Sequence, residues 1–190
     1  MKKRWLFVLI PLLLAVNILA TFPFSLWSRV IGNRKAEWLP KQMQASFESH
    51  ADEYLEAALA MSELQEEHGL RASFACGKDR VQQSPPGALG SDAAKSREKA
   101  RLAVSDLLKA TNLSFDRIFI SHPSVFYYPE DAVVFRCVVM DGQEEYCWVD
   151  LIYSPQWQQH KAEKRIHTVL GKDMAVPVAE SWCIVTLYLA

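Results

Sequence analysis

Residues 132–153 read AVVFRCVVMDGQEEYCWVDLIY, two stretches of β-branched and aromatic side chains on either side of Asp141, Gly142 and Gln143. Such side chains favour extended chain, and an Asp-Gly pair between two such runs is a strong hairpin signal. The pattern predicts strands from Ala132 to Met140 and from Glu144 to Tyr153. With a three-residue turn, Met140 faces Glu144, which sets Cys137 directly across from Cys147 and gathers Val133, Phe135, Val149 and Leu151 on one apolar face. A two-residue turn opposes Cys137 to Tyr146 and brings Asp150 onto that face, so the apolar pattern selects the first register.

Outward from this hairpin, Phe115 to Ile120 and Trp182 to Leu189 have the same composition, giving four expected strands. The last is apolar on both faces and predicts a covered, central position. Ser154 and Pro155 open an expected helix to about Lys164, with extended chain over Ile166 to Leu170. The first half has helical spacing instead. A helix is predicted from Lys41 to His68, ended by Gly69, with Met43, Phe47, His50, Tyr54, Ala57, Met61 and Leu64 on one stripe that Leu55, Ala58 and Leu59 widen. The width of that stripe favours packing on the chain's own sheet over a seam between copies, although homo-oligomer formation through residues 41–64 is the alternative. Arg71 to Ser91, with Ser84, Pro85, Pro86, Gly87 and Gly90, is expected as a long irregular connection. A second helix follows from Asp92 to Asn112, with Ala100, Ala103, Val104, Leu107, Leu108 and Thr111 on one side.

The expected fold class is α+β: an N-terminal transmembrane helix, then helices packed on an antiparallel sheet of about four strands. Over roughly residues 93–190 this order resembles the cystatin-like or NTF2-like arrangement of a helix on a meander, which includes membrane-tethered periplasmic components of secretion machines. The resemblance is architectural and transfers no motif. Pilin-like proteins share a glutamate near the start of the mature apolar helix and a processing glycine before it, and the run Trp5 to Ser28 has neither.

That run contains 24 residues without a charged side chain, between Lys2, Lys3 and Arg4 on one side and Arg29 on the other. As a helix at ~1.5 Å per residue it reaches ~36 Å, enough to cross a hydrocarbon layer of ~30 Å with some tilt. Trp5 and Trp27 stand near its ends, where amphipathic rings favour the headgroup level. The rival is a signal peptide cleaved after Ala20, which would place Ile18 at a small-residue position. The expected organisation is an anchor over 1–31, a juxtamembrane linker over 32–40 and an extracytoplasmic domain over 41–190. Six of the 21 basic residues and none of the 22 acidic ones fall in residues 1–35, so the remainder carries 15 basic against 22 acidic residues. A domain of that sign repels phosphate backbones, which excludes nucleic acid as an expected partner.

Four cysteines in an oxidising compartment point to bridges, with Cys137 to Cys147 and Cys76 to Cys183 as the expected pairs. Loop entropy assigns roughly 3 kcal/mol to the short closure and nearly 5 kcal/mol to the long one. The alternative is that Cys137, Cys147 and Cys183 are small buried hydrophobes that never pair. No cofactor or metal is expected. His160, Glu163 and His167 fit one helix face, but Lys161, Lys164 and Arg165 surround them and repel a cation. Cys76 has only Lys78 to lower its thiol pKa, and Glu144 and Glu145 point to opposite faces of a strand. His122, with Asp116 or Asp131, is the remaining set for acid–base work. The expected function is binding to a protein partner in the membrane or periplasm, with a periplasmic enzyme whose dispersed site surrounds His122 as the alternative.

Overall fold

The computed structural model describes residues 37–77, 80–84, 90–122, 128–129, 131–141, 144–156 and 175–188. The expected anchor with Trp5 and Trp27, the set His160, Glu163 and His167, and the helix expected to run to Lys164 lie outside these residues, apart from the turn at 155–156. Among the described residues no helix is long and apolar enough to cross a membrane.

Helix α1 covers residues 37–49 and α2 covers Ala51–His68, so the single helix expected from Lys41 is two. The break is at His50, which leaves helical geometry (φ −135°, ψ 34°). Its N–H is shared between the carbonyls of Ser46 at 3.0 Å and Phe47 at 3.3 Å. Ser49 contributes to the bend by donating its hydroxyl to the Ala45 carbonyl at 2.9 Å, a back-bond that competes with the helical ladder. Phe47 and Tyr54, on either side of the break, meet with ring centroids 5.8 Å apart. As expected, α2 stops at Gly69, whose left-handed conformation (φ +64°) lets its N–H return to the Gln65 carbonyl at 2.7 Å. Helix α3, Ser91–Ala110, agrees with the predicted second helix and ends where Thr111 donates both its N–H and its hydroxyl to the Leu107 carbonyl.

The segment expected to be irregular after Arg71 is instead a hairpin of β1 (Ser73–Gly77) and β2 (Arg80–Ser84). Strands β3 (Arg117–Ile120), β4 (Val133–Asp141), β5 (Glu144–Tyr153) and β7 (Trp182–Tyr188) are the four the sequence predicts, and β6 (Ala175–Ala179) is an addition. The described strands form one seven-stranded antiparallel sheet in the order β2-β1-β3-β4-β5-β7-β6. The fold is thus α+β with a wider sheet than expected. β7 lies between β5 and β6, consistent with its two apolar faces. β6 contains Pro177 and takes the edge, the position a residue without an N–H tolerates.

The β4–β5 register differs from the expected one. Asp141 pairs with Glu144 and Met140 with Glu145, a two-residue turn, and then Val139 pairs with Cys147. Tyr146 is therefore an extra residue, a bulge that restores the alternation which the short turn would have inverted. Face membership survives while the partners shift. Phe135 faces Leu151, Val133 faces Tyr153, and Cys137 faces Val149 instead of Cys147.

The helices cover one face of this sheet. Met43, Phe47, Tyr54, Ala57, Met61 and Leu64 of the predicted stripe are buried there, with Ala100, Val104 and Leu107 of α3 and Phe74, Ile118, Phe135, Leu151 and Trp182 of the sheet. Tyr54 is central, with rings of Phe135 at 5.4 Å, Phe115 at 6.2 Å and Trp182 at 6.3 Å. Burial of each large side chain contributes about 1.5–3 kcal/mol, and a stripe so used is the chain's own core. His50 is only partly buried. Leu55 and Leu59, expected to widen the stripe, face outward, whereas Ala58 is buried.

Candidate functional site

The opposite face of the sheet carries a second apolar cluster of Tyr128, Ala132, Val134, Ile152, Ala175, Cys183 and Val185. Within it lies the most chemically distinctive group of side chains among the described residues. Arg136 and Asp150 are register partners on β4 and β5, and both point to this face because the Tyr146 bulge keeps Asp150 off the helix-covered side. Arg136 donates Nε to Asp150 Oδ1 at 2.9 Å and Nη2 to Oδ2 at 2.7 Å. Tyr128 donates its hydroxyl to the same Oδ2 and accepts from Arg136 Nη2 at 3.2 Å. The guanidinium carbon lies 5.1 Å from the Phe119 ring centre and 4.8 Å from that of Trp148, so the cation is held between two aromatic rings.

Tyr128 reaches the site from the connection between β3 and β4, whose two ends are tied together. Ser121 donates its hydroxyl to the Pro129 carbonyl at 2.5 Å and receives the Ala132 N–H at 3.1 Å. Asp131, in the left-handed region at φ +63°, pairs with Arg71 at 3.0 Å.

Asp150 has no exposed side-chain surface and Arg136 retains 20%. Burial pushes the Asp150 carboxyl above its ordinary range, against the opposing pull of Arg136 and Tyr128. Burial also works against the Arg136 charge, but the Asp150 carboxylate outweighs it and holds the guanidinium ionised. The Tyr128 phenol is raised well above its usual range by burial first and by Asp150 second. These groups satisfy one another: a neutral phenol and a cation both donate to one carboxylate, which leaves Asp150 a counter-ion rather than a base.

Of the residues singled out from sequence, Asp116 and His122 flank the two ends of β3, about 20 Å apart along an extended chain at ~3.3 Å per residue. Asp131 lies at the same end of the β3–β4 ladder as His122, next to the bond from the Ser121 N–H to the Ala132 carbonyl, but its carboxylate pairs with Arg71. His122 itself is exposed. Glu144 and Glu145 occupy successive positions of β5, opposite Asp141 and Met140.

None of the four cysteines forms a disulfide. Cys137 and Cys147 share the helix-covered face as diagonal neighbours, a geometry with Cα atoms about 7–8 Å apart, wider than a disulfide spans. The expected second pair is further from bridging. Cys76 is on β1 and packs against the helix-side core, whereas Cys183 is on β7 and belongs to the other face. Four strand spacings of ~4.8 Å, about 19 Å, separate those strands. Burial raises the Cys76 and Cys147 thiols to about 11, so neither is an activated nucleophile. Among the described residues no group of three or more His, Cys, Asp or Glu side chains is placed to hold a metal ion.

A shallow groove of about 470 Å³ between the two long helices is lined by Glu56 of α2 and by Lys95, Glu98, Lys99, Leu102, Ala103 and Asp106 of α3. It carries mixed charge and no buried titratable group.

Sequence reading passed over Arg136 and Asp150, yet each is the one charged residue in an apolar stretch (VVFRCVVM and YCWVDLIY). Two opposite charges on facing strands are a pairing signal once the register is known. Comparison with protein-family models, with curated proteins and with solved structures gives no match.

Proposed function

We propose that the chain is a binding protein held at a membrane by its N-terminal segment, with residues 41–190 outside the cytoplasm, facing the periplasm from a bacterial inner membrane. It serves as an accessory subunit of an envelope or secretion complex, or as an inhibitor or immunity protein of that compartment. The observation that carries this reading is the uncharged run Trp5–Ser28, bounded by Lys2, Lys3 and Arg4 and by Arg29, with Trp5 and Trp27 near its ends. That combination of length, flanks and terminal aromatic rings is what a spanning helix requires. Binding rather than turnover is supported by Arg136, Asp150 and Tyr128, whose polar groups are consumed in holding two strands and a connection together.

Carbonate extraction and intact-mass measurement test the anchor, and a pull-down from detergent-solubilised membranes tests the class. The expected results are retention in the membrane with the first residues present and a stoichiometric protein partner. A mature chain beginning at Thr21 and released in the soluble fraction overturns the anchor, and turnover of a small molecule by the purified chain overturns the binding role.

A further inference from the structure

We propose that the outward face of α1 around Trp38 docks on the anionic lipid surface of the membrane that the N-terminal run spans; this rests on the anchored reading and gives the domain its orientation. Trp38 is 66% exposed, the most exposed large apolar side chain among the described residues. It is nevertheless rigidly placed. On the other side of the same helix Met43 and Phe47 are buried and Leu39 packs against the same core, and the Phe47 ring lies 4.9 Å from that of Trp182 on β7. Positions 38, 41, 42 and 45 follow three-and-four spacing, so Trp38 shares its face with Lys41, Gln42 and Ala45, all exposed. The acids flanking this face are Glu37 and Glu48, and Glu48 already accepts a hydrogen bond from Gln44 at 2.9 Å.

The chain leading into α1 identifies what meets that face. Trp38 stands ten positions after Ser28, where the uncharged run ends, so even a fully extended chain at ~3.5 Å per residue keeps it within ~35 Å of the end of that run. The charges in between are Arg29, Arg34 and Lys35 against Glu37. With Lys41, residues 29–47 have four basic side chains and one acidic, whereas residues 48–190 have 14 basic and 21 acidic. An anionic lipid surface attracts the first segment and repels the second, which turns this end of the domain to the membrane. An indole ring with lysine and arginine beside it is the combination that settles at headgroup level, the ring in the interfacial layer and the cations on the phosphates. A second copy meets this face with the same excess of cations, and their repulsion decides against a dimer here.

The test places the photo-cross-linker p-benzoylphenylalanine at position 38 of the full chain, in its native membrane and after reconstitution in vesicles, and identifies the adducts by mass spectrometry. The expected adduct is to phospholipid in both. In vesicles its yield should fall at least threefold when phosphatidylcholine alone replaces a two-to-one mixture with phosphatidylglycerol. The same probe at position 102 should give no lipid adduct, because Leu102, 48% exposed, is on α3, which packs toward β2 at the far end of the sheet from β7. An adduct at position 38 to a second copy or to another protein in place of lipid overturns the docking, as does the lack of any adduct there. A yield indifferent to lipid charge, or equal lipid adducts at positions 38 and 102, overturns it too. If one of these results comes from a chain that resists carbonate extraction, the docking surface alone has failed and the anchor stands; a chain released by carbonate overturns both.

Discussion

Arg136 and Asp150 face each other across β4 and β5, joined by contacts of 2.9 and 2.7 Å on the face of the sheet opposite α1, α2 and α3. Charge removed from water costs several kcal/mol per ion, and the paired geometry is what offsets it. Asp150→Ala leaves Arg136 without its partner and is expected to destabilise the fold by about 3–5 kcal/mol in urea denaturation. Replacing both residues by apolar ones, as in Arg136→Met/Asp150→Leu, is expected to cost much less than the two single changes added together. Additive losses would mean that the two side chains are not coupled.

Gly69 allows a cleaner measurement, because a Cβ added there meets nothing within 4 Å while the backbone stands at φ +64°. Gly69→Ala therefore probes conformational strain alone and is expected to cost about 1–2 kcal/mol. Gly69→Asn, a residue that tolerates the left-handed region, is expected to recover part of that loss. Equal stability of all three proteins would show that α2 does not end in this conformation.

Alkali should unfold the protein through groups buried in their neutral forms. The Cys76 and Cys147 thiols are raised from 9.0 to about 11, and burial lifts the Tyr54 and Tyr128 phenols above their usual range. A group raised in the folded state contributes stability that is fully present below its unfolded pKa and is lost as pH rises through the folded one. For the thiols that window runs from about pH 9 to about pH 11. Thermal midpoints should fall across it, and the fall should be shallower in Cys147→Ala than in wild type. A midpoint flat from pH 8 to pH 11 would contradict the burial of these groups.

The predictions that held came from residues whose pattern has one local cause. Gly69 ends α2 because its conformation suits a helix terminus, and Phe135, Val149 and Leu151 share a face because alternation permits nothing else. The failures need information from elsewhere in the chain. Ser73–Gly77 and Arg80–Ser84 are short and, read alone, lack a clear alternation, and they become strands by pairing with each other and with β3. The break at His50 lies inside an unbroken apolar periodicity, so the stripe predicts the buried face but not the bend. Arg136 and Asp150 were visible as lone charges in apolar runs, whereas Tyr128 joins them only through the tied connection of Ser121, Pro129 and Ala132.

The bulge at Tyr146 yields the most specific prediction, because it reconciles the short turn with the apolar face. On either side of it the ladder reads Met140 with Glu145 and Val139 with Cys147, so removing Tyr146 joins two segments that are already in phase. Deletion of Tyr146 should then give a regular two-residue hairpin, cost no more than about 1 kcal/mol, and leave Cys147 protected from alkylation. Deletion of Val149, only three positions along, has the opposite consequence. It moves the β5 alternation by one residue between the bulge and Asp150, forcing either Asp150 onto the helix-covered face or Cys147 and Trp148 to exchange sides. Burying the carboxylate among Tyr54, Phe135 and Trp182 without Arg136 costs several kcal/mol, enough to unfold a domain of ordinary stability. Thermal melts of the two deletion variants therefore test the register directly. Loss of structure on deleting Tyr146, or equal tolerance of both deletions, would show that the bulge is not where the ladder places it.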